Sequence, residues 1–112
     1  MNPTRKLQQR EYLLLSHLIQ KAQHPIPQDW NKQIVVSEMD DGGMGSLLLF
    51  PSGEVAHNRK FGTRTSAYNF NDSDGIPVIA SLNLDLNGEL FELDIWKVNH
   101  EPLLQFPTTF SE

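Results

Sequence analysis

The sequence predicts an α+β fold, with an N-terminal helix packed on one face of an antiparallel sheet of about five strands. Three features predict it. An apolar stripe at helical spacing lies near the N-terminus. Short apolar or alternating runs follow, separated by clusters of Gly, Pro, Asn and Asp. Finally, Asn87-Gly88 joins two alternating runs, a strong short-range hairpin signal. Short turns suit antiparallel neighbours, and such a sheet can bury one face under a helix while the other meets water. With 112 residues, the chain is read as a single domain over 1–112 with one modest core.

Thr4 is placed to cap a helix running to about Gln23. Leu7, Leu14, Leu15, Leu18, Ile19 and Ala22 share one side of it. His24-Pro25-Ile26-Pro27 stops it, because proline lacks the N–H a helix needs and restricts the residue before it. Strands are expected over Trp30–Met39, Ser46–Phe50 and Arg59–Phe70, with turns at Asp40–Gly45, Pro51–Glu54 and Asn71–Gly75. The tail from Glu101, with Leu103, Leu104, Phe106 and Phe110, is expected to patch an open edge.

The hairpin over Ile76–Val98 organises the rest. A two-residue loop at Asn87-Gly88 requires φ > 0 at both residues. It sets Leu86 opposite Glu89, Leu84 opposite Phe91, Leu82 opposite Leu93 and Ala80 opposite Ile95. Alternation then puts Ala80, Leu82, Leu84, Phe91, Leu93 and Ile95 on a buried face. Ser81, Asn83, Asp85, Leu90, Glu92 and Asp94 share the other face, with Trp96 near its open end.

Composition excludes several chemistries. The chain has no cysteine, hence no disulfide framework and no thiolate zinc site. It shows no signal-peptide pattern and no apolar run near membrane length, so it reads as soluble and cytoplasmic, without a membrane partner. Net charge is −5, unevenly placed: residues 1–24 carry four basic and one acidic residue, the remainder five basic and thirteen acidic. Phosphate affinity rests on Lys and Arg, so nucleic acid is not the expected partner, whereas a basic protein suits such a body.

The motifs are weighed against plainer readings. Gly42-Gly43-Met44-Gly45-Ser46 lacks the Lys and following helix of a phosphate loop, so a tight turn accounts for it better. Asp72-Ser73-Asp74-Gly75 is a fragment of a calcium loop without its first and last ligands, and an Asx turn is the simpler reading. His17, His24, His57 and His100 form no ligand pair in sequence, and no metal or cofactor is expected. Two acidic groups stand out. Asp85, Glu92 and Asp94 project with Trp96 from one hairpin face, and Glu38, Asp40 and Asp41 cluster at a turn. They read as an ordinary solvated surface, as carboxylates for acid–base or metal chemistry, or as a docking surface for a cationic protein anchored by Trp96.

Two segments carry a resemblance: Ser37-Glu38-Met39-Asp40-Asp41-Gly42-Gly43-Met44-Gly45-Ser46-Leu47, and Ser81–Asp85 continuing through Gly88-Glu89-Leu90-Phe91-Glu92-Leu93-Asp94-Ile95-Trp96-Lys97-Val98 to Leu103. Together they resemble a family of small bacterial proteins of unassigned function, over about Ile34 to Leu104, with the leading helix outside. In size, acidity and lack of catalytic motif, such proteins are similar to immunity proteins, which neutralise toxin domains such as those of contact-dependent growth inhibition. The resemblance implies a non-enzymatic protein that occludes a basic toxin domain, such as a nuclease, by steric and electrostatic means. The alternatives are a small enzyme or metal-binding protein using the hairpin carboxylates, and a structural subunit of a larger assembly.

Overall fold

In the computed structural model, which describes residues 1–111, one helix and six strands follow in the order β1 (Thr4–Arg5), α1 (Gln9–Gln20), β2 (Val35–Glu38), β3 (Leu47–Phe50), β4 (Phe61–Asn71), β5 (Pro77–Asp85) and β6 (Leu90–Lys97). All pairings are antiparallel, and the strands lie in the order β1-β2-β3-β6-β5-β4. The α+β class holds. The sixth strand is β1, which occupies the place where the helix cap was expected. Gln8 caps the helix instead, because Glu11 sits at the third helical position and accepts the Gln8 N–H at 2.9 Å. Thr4 and Arg5 are thereby free to pair with Ser37 and Val36.

Leu14, Leu15 and Leu18 of α1 are fully buried. They pack with Val36, Leu47, Leu49, Val78, Ala80, Leu82, Leu84, Leu93 and Ile95 in one core on the helix side of the sheet. Each of these leucine, valine and isoleucine side chains contributes on the order of 1.5–3 kcal/mol by leaving water. The tail meets the sheet edge at β4, where the Ser111 N–H donates to Tyr68 Oη at 3.1 Å, and it also enters the core. Phe106 is buried in the core, and Leu103 and Phe110 pack against it. Phe110 stacks on His17, ring centroids 4.7 Å apart, and meets Tyr68 of β4 at 5.6 Å.

The central hairpin departs from expectation at its tip. Gly88 has φ +80°, but Asn87 does not have positive φ. The Gly88 N–H donates to the Asp85 carbonyl at 3.0 Å, and the Asp85 N–H donates to the Glu89 carbonyl at 2.9 Å. The loop is thus three residues, a type I turn closed by a left-handed glycine. That moves the pairing by one, so Leu84 faces Leu90 rather than Phe91. A bulge at Phe91 then restores the register, and Asn83 faces Glu92, Leu82 faces Leu93 and Ala80 faces Ile95. The result exchanges two side chains: Leu90 is buried, at 3 % exposure, and Phe91 is only half-buried.

Candidate functional site

The turn between β2 and β3 is built around Asp41. One of its carboxylate oxygens accepts the Met44 N–H at 3.1 Å and the other accepts the Ser46 N–H at 2.9 Å. Gly42, Gly43 and Gly45 take φ of +74°, +84° and +101°, which side chains with a Cβ rarely adopt. The glycine run is the tight turn that the sequence suggested. It is stitched to its surroundings: Ser46 Oγ accepts the Ile95 N–H at 2.8 Å, and the Gly43 carbonyl accepts the Leu103 N–H at 3.0 Å.

Beside this turn lies a cleft of about 610 Å³, bounded by the turn, β1, the start of α1 and the tail near Phe106. Arg5 crosses it. Its guanidinium donates in parallel to both Glu11 oxygens at 2.8 Å and reaches Glu38 at 3.1 Å. The two carboxylates hold the Arg5 pKa above its ordinary value, with the Glu11 hydrogen bond the largest influence. Arg10 lies over the Phe106 ring at 4.9 Å. Glu38 and Asp40 are exposed, Glu38 tied to Arg5 and Asp40 touched by the Asn2 amide at 3.2 Å.

The structure joins the two acidic groups at one point. Asp94, exposed on β6, has its pKa raised, first by partial burial and then by the like charge of Asp41, with the Ser46 hydroxyl opposing. Glu92 lies two residues away on the same face, half-buried, and accepts from the Asn83 amide at 3.3 Å. Trp96 completes the row, 41 % exposed with its ring 4.4 Å from that of His100.

Asp85 does not belong with them. The expectation that it projects into solvent is wrong: it is 4 % exposed. It accepts the N–H groups of Asn87 at 2.8 Å and Glu89 at 3.0 Å, and pairs with Arg59 at 2.9 Å. Burial opposes its charge, but the Glu89 N–H, the Arg59 guanidinium and the Asn87 N–H outweigh it and lower its pKa. The three-residue loop is the reason, since it curls back over this carboxylate. No period-two pattern can disclose that.

Two further charged residues had no signal in the sequence reading. Arg59 also donates to the carbonyls of Leu49 and Leu90 and lies over the rings of Phe91 and Phe50. The β3–β6 pairing stops at Leu48 and Glu92, and Arg59 supplies donors to carbonyls left beyond it. Lys97 is 1 % exposed, with Nζ 2.8 Å from both Asp72 and Asp74. The supposed calcium-loop fragment is an Asx turn whose carboxylates face this ammonium, and the Ile76 N–H donates to Asp74 at 3.1 Å. Among the described residues no group of three His, Cys, Asp or Glu side chains is placed to hold a metal ion. None of the described helices is long and apolar enough to cross a membrane.

A family model described as a domain of unknown function, DUF6984, matches residues 4–107. The chain belongs to this family. The DUF6984 match takes in α1, which the resemblance read from two motifs left outside. Comparison with curated proteins and with solved structures found no match in either.

Proposed function

We propose that this DUF6984 chain is a non-enzymatic binding protein whose acidic rim docks a basic protein partner. In its most concrete form it is an immunity protein that blocks the substrate cleft of a toxin domain. The observation that carries this reading is a row of carboxylates outside every internal ion pair. Asp40, Glu92 and Asp94 take part in no salt bridge among the described residues, and the partly exposed Trp96 ring stands at the end of the β6 row of Glu92 and Asp94. Such charges speed encounter with a cationic surface, while a desolvated aromatic slows departure. An acid–base role is less well supported, because the hairpin group loses one of its three carboxylates and its neighbour at the turn is occupied. Asp85 is enclosed by its loop and by Arg59, and both oxygens of Asp41 hold backbone N–H groups.

The test begins with capture of the partner from the protein's own cells. Association rates are then measured at two salt concentrations. Replacing Asp40, Glu92 and Asp94 by Lys should leave the fold intact and lower the on-rate by about tenfold or more at low salt. Trp96→Ala should instead raise the off-rate. A triple variant that folds and binds as fast and as tightly as the parent would sink the proposal.

A further inference from the structure

The last strand of the sheet, β4, is the longest, over Phe61–Asn71, and stands at an edge. Its two halves differ. The first half is interrupted by two irregularities, between Phe61 and Thr63 and between Arg64 and Ser66, and the Gln23 N–H occupies the Thr65 carbonyl at 3.1 Å. Bulges and covering segments of this kind protect an edge from further pairing. The second half, Ser66-Ala67-Tyr68-Asn69-Phe70-Asn71, pairs with β5 without interruption and contains no charged residue and no proline.

The hydrogen-bond phase of this half follows from its turn. The Asp72 N–H donates to the Ile76 carbonyl at 2.9 Å. Bonded and non-bonded pairs alternate along an antiparallel ladder, so Phe70 and Tyr68 bond inward to Val78 and Ala80. The main-chain groups of Ala67, Asn69 and Asn71 point away from the sheet. Pro77, opposite Asn71, has no N–H to offer, and its carbonyl accepts from Val98 instead. Among the described residues no strand or loop bonds to these outward groups.

We propose that this half of β4 pairs with the same segment of a second copy of the chain, antiparallel about a two-fold axis at Asn69. That placement is self-complementary. Asn69 bonds to Asn69 of the copy in both directions, Ala67 meets Asn71, and every outward donor and acceptor of the three residues finds a partner. On the helix side the same register sets the half-buried Phe70 beside Tyr68 of the copy twice, while each Tyr68 ring stays buried in its own chain against His17 and Phe110. The two Asn69 amides face each other on the open side. The segment itself carries no charge, so two copies paired along it set no like charges opposite each other across the axis.

Sedimentation equilibrium of the full chain, from micromolar to millimolar concentration, tests this. The expected result is a concentration-dependent dimer. Asn69→Pro removes an outward N–H that β5 does not use, and Asn69→Lys sets like charges opposite each other across the axis. Each should weaken dimerisation by about tenfold or more, with circular dichroism unchanged. The lysine variant keeps the test decisive where the proline variant disturbs folding. A parent that stays monomeric at millimolar concentration, or a dimer unmoved by Asn69→Lys, overturns the proposal.

Discussion

Asp72 shows how a single buried carboxylate ties distant segments together. It accepts Lys97 Nζ and the Leu104 N–H, both at 2.8 Å, the Gln105 N–H at 3.0 Å and the Ser73 N–H at 2.7 Å. Burial opposes the charge, yet the Leu104 N–H, the Lys97 ammonium and the other two N–H groups together lower the pKa to about 2. The folded-state value lies below the ordinary carboxylate value, so the folded chain favours the ionised form. That contribution is complete above about pH 4 and disappears as pH falls towards 2. Thermal melts between pH 5 and pH 2 should show this acid limb. Asp72→Asn should be less stable than the parent at neutral pH and should lose less on acidification. An acid limb equally steep in the variant would place its origin elsewhere. Arg59 and Asp85 make a second buried pair, with side chains 14 % and 3 % exposed. Removing one partner of such a pair typically costs about 3–5 kcal/mol, so Arg59→Ala should move a urea midpoint strongly. A change below about 1 kcal/mol would mean that water replaces the guanidinium freely.

At the scale of an element, the hairpin contains two irregularities that cancel. The longer loop shifts the pairing by one residue at Leu84–Leu90, and the bulge at Phe91 shifts it back at Asn83–Glu92. Only the stretch next to the turn changes faces, so Leu90 enters the core in place of Phe91. Leu90→Ala should therefore cost about 2–5 kcal/mol, the usual range for a fully buried leucine. Phe91→Ala should cost less than that, because its ring is half-buried, with the Arg59 guanidinium 5.1 Å from its centroid. Denaturant unfolding of both variants checks the order, and a larger loss at Phe91 would contradict the bulge.

Across the whole molecule, the core depends on both ends of the chain. β1 extends the sheet, α1 covers it, and the tail returns beside the helix to place Phe106 against Gly45 and Phe110 against His17. The tail also supplies two of the N–H groups around Asp72. Ending the chain after Glu101 should leave Asp72 short of partners and uncover the Ile95 and Tyr68 side of the core. Such a truncated chain should show narrowed NMR amide dispersion and collapse to a partly ordered state. Native-like dispersion and a melting temperature within a few degrees of the parent would show that the tail is an accessory.

The α+β class, the helix stripe, the turn at Asp40–Gly45 and the hairpin pairing from Asn83 outward were legible in the sequence. Each rests on local rules: spacing of apolar residues, the conformational freedom of glycine, and alternation along a strand. Glu92, Asp94 and Trp96 follow from the same alternation and stand where it places them. What tertiary structure decided is the fate of the charged side chains. Nothing local distinguishes Asp85 from Asp94, or Lys97 from Lys32. Asp85 and Lys97 are enclosed because a loop, an arginine from another segment and the returning tail bring partners to them, and a charge leaves water only where such partners are already waiting.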